Sequence, residues 1–114
     1  MIKTLGHRKL NRKPQHRVAT LRALVTSLLL HERIKTPVAK AKELRRVADR
    51  VITQAKKGEH ALVRRTVVDK VVYKKLFEVV APRYQQRPGG FTQMFRLERR
   101  RGDNAEIALV KLVA

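Results

Sequence analysis

The apolar residues of this chain keep two different periods, and the change between them limits which folds are open to it. Val18, Leu21, Val25, Leu28 and Leu29 recur at helical spacing, as do Ala41, Leu44, Ala48, Val51 and Ala55. After the loop Gln85 to Gly90 the period falls to two. Phe91, Gln93, Phe95 and Leu97 alternate with Thr92, Met94 and Arg96, which suits a strand. Glu106 to Val113 is nearly all apolar, with β-branched Ile107, Val110 and Val113, as a more central strand would be. Helical stripes followed by strands predict an α+β fold: helices packed on a small, mostly antiparallel three-stranded sheet.

Local signals place the boundaries. Pro14 suits the first turn of a helix that runs to about residue 30. Arg33, Ile34 and Lys35 can form a short strand. Thr36-Pro37 reads as a capping hydroxyl followed by proline at the first position of a second helix, which Gly58 stops. A third helical stretch is expected from about His60 to Val80, broken near Val71 and ended by Pro82. Arg99 to Asn104 should turn between the last two strands, and Phe77, Phe91 and Phe95 are assigned to the core. Residues 1–13 lack apolar periodicity and read as an extended basic arm before a single domain, residues 14–114.

Charge points to the partner. The chain carries 28 Lys+Arg against 9 Asp+Glu, a net charge of +19. Its first acidic residue is Glu32, preceded by Lys3, Arg8, Lys9, Arg12, Lys13, Arg17 and Arg22. Such a segment repels itself and gains free energy by lying against a polyanion. Residues 32–58 and 81–102 are also strongly basic, whereas residues 59–80 and 103–114 carry little net charge and are expected to face solvent or protein neighbours. Arg99-Arg100-Arg101 has only Glu98 beside it. Lys56, Lys57, Lys74 and Lys75 read as ordinary solvated surface. The planar fork of arginine pairs bidentately with phosphate, which favours nucleic acid over a generic acidic partner.

Other chemistries fail when tested singly. With no cysteine, disulfides, thiolate metal sites and Cys nucleophiles are excluded. His31-Glu32 begins H-E-x-x-H, but the fifth position is Lys35. Ser27 lies among leucines, Gly89-Gly90 lacks the lysine of a P-loop, and Arg101-Gly102-Asp103 reads as a turn. No two of His7, His16, His31 and His60 are spaced as metal ligands, so neither a metal nor a cofactor is expected. No apolar run is long enough to span a membrane, and a membrane-surface role is disfavoured because Trp is absent and the apolar residues fit a core. A basic, acid-free N-terminus also describes a transit peptide, but those are serine-rich and Ser27 is the only serine. A helix-turn-helix reader of DNA is disfavoured by the long connection His31 to Thr36. No aromatic sits within a basic run, so contact with phosphates and 2′-hydroxyls of folded RNA is expected rather than base stacking. Affinity should then fall by about 10³–10⁵ between 50 and 200 mM salt.

The residues that carry these signals also resemble a known family. Gly6-His7-Arg8-Lys9-Leu10-Asn11-Arg12, His16-Arg17, Ser27-Leu28-Leu29 and His31-Glu32-Arg33-Ile34 are similar to the bacterial-type large-subunit ribosomal protein L17. So are Ala39-Lys40-Ala41-Lys42-Glu43-Leu44-Arg45, Leu76-Phe77, Ala81-Pro82-Arg83-Tyr84, Arg87 with Gly89-Gly90-Phe91-Thr92, and Arg99-Arg100-Arg101-Gly102-Asp103. The chain departs from the family in opening Met1-Ile2-Lys3 instead of Met-Arg-His, and in having Thr36-Pro37 where a double threonine is usual. The resemblance implies a structural and assembly role without catalysis, on large-subunit rRNA beside the peptide-tunnel exit. The implied site is a ribosome in a bacterial cytoplasm or an organelle, with neighbouring ribosomal proteins as further partners. Carried over, Arg8, Lys9, Arg12, His16, Arg17, Lys40, Lys42, Arg45, Arg87, Gly89 and Gly90 should contact rRNA. The charge pattern adds Lys13, Arg22, Arg33, Lys35, Arg46, Arg83, Arg96, Arg99, Arg100 and Arg101.

Overall fold

Helix α2 (Val38–Lys56) is the element around which the chain is organised, because it has apolar residues to offer on more than one side. Leu44, Ala48, Val51 and Ile52 are fully or almost fully buried, while Lys57 and Gly58 just beyond its end are exposed. The computed structural model describes residues 14–113. Helix α1 (Pro14–His31) packs on α2 through Leu21, Val25, Leu28 and Leu29. Val18, the first residue of the expected stripe, is 43% exposed, so the buried stripe begins one turn later.

Strands β1 (Arg33–Pro37), β2 (Thr92–Arg99) and β3 (Glu106–Leu112) form a sheet in the order β1-β3-β2, antiparallel throughout. The most apolar strand is therefore the central one. Ala108, Val110 and Leu112 point at α2 and are buried. Part of the low charge of residues 106–112 thus comes from the strand's central place in the sheet, with alternate residues turned to the core. On β2 the expected faces are exchanged: Thr92 is buried, and Phe95 and Leu97 are 48% and 40% exposed. Phe91, fully buried, lies just before the strand, and its carbonyl accepts from the Val113 N–H at 2.9 Å.

Three boundaries differ from expectation for physical reasons. Thr36 is not the cap of α2; it is a buried strand residue opposite Ala108, and Pro37 still pairs with Ile107 before the helix begins at Val38. The break in the third helical stretch comes before Val71. Helix α3 (His60–Arg64) ends early, and Asp69 starts α4 (Lys70–Lys75) by accepting from the Val71 and Val72 N–H groups at 2.9 and 3.1 Å. Pro82 does not end the helix. A π-helical turn, Leu76–Val80, precedes it, with the Ala81 N–H donating back to the Leu76 carbonyl. The widened turn relieves the clash of the proline ring with the preceding carbonyls, and α5 (Ala81–Arg83) follows. Gly58 behaves as foreseen: at φ +75 it takes the left-handed conformation that closes α2.

Candidate nucleic-acid interface

Basic side chains gather in three places on the described surface. The first is a cleft of about 260 Å³ between α1, α2 and the segment after α3. Arg17 and Arg22 reach it from α1, Arg50 from α2 and Arg65 from beyond α3, while Val18, Leu21 and Val47 also line it. Glu43 lies in its wall with only 2% of its surface exposed. Four guanidinium groups around one concavity, against one carboxylate, make a field that attracts anions. Arg65 was not singled out from sequence, and Arg50 was read as part of the basic side of the second helix but not as an RNA contact. Arg50 is one turn beyond Arg46 on the basic side of α2, the spacing that places both on one face. Arg65 reaches the cleft only because α3 ends early.

The second place is the outer face of the sheet. Arg33 and Lys35 of β1 are exposed there, and Lys111 of β3 stands directly opposite Arg33. The third is the β2–β3 hairpin together with the loop after α5. In the hairpin the arginines are not left without acids, as the local sequence suggests. Arg96 and Arg99 both pair with Glu106, at 3.4 and 3.2 Å. They reach the same carboxylate because the register shifts between them, which cancels the alternation that would put residues three apart on opposite faces. Arg100 pairs bidentately with Asp103, at 3.1 and 2.5 Å, and holds that carboxyl near pKa about 2. Arg101 is exposed.

Around the 85–90 loop the positions are held by groups expected to be bystanders. Lys56 is not simply solvated: its Nζ donates to the Arg87 carbonyl and lies 4.9 Å from the centre of the Phe91 ring. It fixes a loop in which Gln85, Gln86, Arg87, Gly89 and Gly90 are exposed, with Gly90 at φ +65. Lys75 likewise bonds the Leu30 carbonyl at 3.0 Å and pairs with Glu32 at 3.1 Å. Arg83 approaches the same carboxylate at 2.6 Å. Hydrogen bonding from Arg83 first, then from Lys75, lowers the Glu32 pKa to about 2 against the opposing effect of partial burial. The pair raises the Arg83 pKa in turn.

On α2, Arg46 is exposed, whereas Lys40 and Lys42 are half-buried. Arg45 turns inward: its guanidinium donates to the hydroxyl and carbonyl of Thr92, both at 3.4 Å. The Thr92 hydroxyl donates in turn to Asp49, whose pKa is raised by burial despite that bond and one from the Phe91 backbone. Arg45 therefore ties helix to sheet. His16 is exposed in the first turns of α1. Arg8, Lys9, Arg12 and Lys13 lie outside the described residues. The structure thus brings Arg17 and Arg22 together, joins Arg33 and Lys35 to Lys111, and neutralises part of the hairpin cluster internally.

Comparison with known proteins supports the resemblance. The sequence model described as ribosomal protein L17 matches residues 20–113. Large ribosomal subunit protein bL17 of Elusimicrobium minutum (strain Pei191) is 57% identical over 113 residues, 99% of each chain. The bL17 of Anaeromyxobacter sp. (strain K) is 53% identical over 109 residues, covering 93% of this chain and 69% of its own. That of Caldanaerobacter subterraneus subsp. tengcongensis is 46% identical over 112 residues, or 96% of this chain and all of the relative. A match of this length and identity, on a chain whose helices and antiparallel sheet follow the expected order, is decisive: the chain belongs to the ribosomal protein L17 family.

Proposed function

We propose that this protein is a structural constituent of the large ribosomal subunit and stabilises folded rRNA by neutralising its phosphates. The observation that carries the reading is the cleft bounded by Arg17, Arg22, Arg50 and Arg65, a cationic concavity on the side of the domain where the acid-free N-terminal segment joins α1. The family supplies the ribosomal setting; relatives of this chain are named as large-subunit proteins of bacteria. Shape-directed contact with phosphates and 2′-hydroxyls suits arginines held on helices at fixed spacing.

The cations divide by what binding requires of them. Arg17, Arg22, Arg33, Lys35, Arg46, Arg87 and Arg101 can meet phosphate directly, as can Arg8, Lys9, Arg12 and Lys13. Arg83, Arg96, Arg99 and Arg100 must share or exchange a carboxylate partner to do so, and serve as weaker contacts. A neighbouring ribosomal protein fits best over residues 59–80, where net charge is low and Val68, Val71 and Val79 are 73%, 69% and 45% exposed. A position beside the peptide-tunnel exit rests on the family resemblance.

Sedimentation tests the assignment. The tagged protein should sediment with large subunits at low salt and be released progressively as the salt concentration rises. Recovery in the free fraction at low salt, or on small subunits, would contradict it.

A further inference from the structure

We infer that the outer face of the sheet is a stacking site for an unpaired RNA base, with Phe95 as its platform. This rests on the RNA-binding reading above but names a contact of a different kind from phosphate neutralisation. The other phenylalanines are covered: Phe91 is fully buried, and Phe77 packs on the core and stacks on His60 at 4.1 Å between ring centres. Phe95 alone among the three is exposed, at 48%. The sheet's pairing fixes its surroundings. Lys35, Leu109 and Phe95 form one cross-strand row; Arg33, Lys111 and Gln93 form the next row on the same face. Lys111 Nζ stands 5.5 Å from the centre of the Phe95 ring.

That arrangement has the parts a nucleotide needs. The ring offers an apolar π-face to any base, and the adjacent ammonium adds a cation to the stack. The Gln93 amide carries both donors and an acceptor for a base edge. Lys35, two strand spacings or about 10 Å away in the same row, and Arg33, one row further along β1, lie where the backbone of a stacked nucleotide would run. Neither is in an ion pair among the described residues. A protein partner suits the face less well. Lysine is depleted at protein interfaces, and Arg33, Lys35 and Lys111 would be desolvated with no carboxylate in either row. The sequence concealed this site by placing Phe95 among alternating apolar residues; only the three-stranded pairing sets it beside cations distant in the chain.

The chain has no tryptophan, so F95W gives the full-length protein a single tryptophan, excited selectively at wavelengths where its two tyrosines do not absorb. Titration with single-stranded oligoadenylate should quench it, whereas a fully paired RNA hairpin stem should leave it nearly unchanged. F95L should weaken oligoadenylate binding about tenfold or more and leave stem binding within twofold. An unquenched reporter, or equal oligoadenylate affinity for F95L and the parent, would overturn the platform and leave the face for a protein neighbour. If the parent binds neither RNA, the ribosomal RNA reading itself fails.

Discussion

Glu32 shows how one residue can serve both backbone and surface. It follows the last turn of α1 at φ 64, a left-handed position uncommon for a residue with a side chain, and its N–H donates to the Leu28 carbonyl at 2.7 Å. Its carboxylate then gathers Lys75 and Arg83, which come from the far side of the sequence. Because its folded pKa lies below the unfolded value, its contribution is full above the ordinary carboxylate range and is lost as pH falls toward 2. With the side chain 39% exposed, screening reduces the stabilisation to about 0.5–1 kcal/mol. Urea unfolding of E32Q should show that deficit at pH 7, and the gap to the parent should close as pH falls from about 5 toward 2. A gap constant with pH would mean that the ion pairs contribute nothing. Residues such as Glu32, Lys56 and Lys75 were illegible in the sequence because their partners are 31 to 51 residues away. By contrast, Arg17 and Arg22 were legible because nothing nearby could neutralise them.

At the scale of elements, what the sequence revealed depended on whether a signal was local. The helical stripe of α1 from Leu21 onward, that of α2, the glycine stop at Gly58 and the apolar centre of β3 each lie within a few residues and were read correctly. The faces of β2 were not, since alternation tells which residues share a face but not which face meets α2. Burial of Thr92 against Arg45 and Asp49, not hydrophobicity, settles that question. Exposure of Phe95 is the consequence. Leu44, at the centre of α2 with no exposed surface, measures how much the helix contributes. L44A should cost about 2–5 kcal/mol in chemical denaturation. A loss under about 1 kcal/mol would show that the core collapses around the gap and that α2 is not its centre.

The whole molecule is a small α+β frame whose core has apolar residues to spare and whose surface has far more cations than it can pair. Within the described residues, Glu32, Asp103 and Glu106 engage five basic side chains, leaving the α1–α2 cleft and the outer sheet face positively charged. Such a surface is complete only against a polyanion. The central claim, that this polyanion is folded RNA met through its phosphates, is tested most directly by one titration. Affinity for a folded large-subunit rRNA fragment and for a DNA duplex of equal length should be measured from 50 to 200 mM salt. The account predicts tighter binding to the RNA at every salt concentration and a fall of about 10³–10⁵ across the range. A preference for the DNA, or an RNA affinity indifferent to salt, would contradict it.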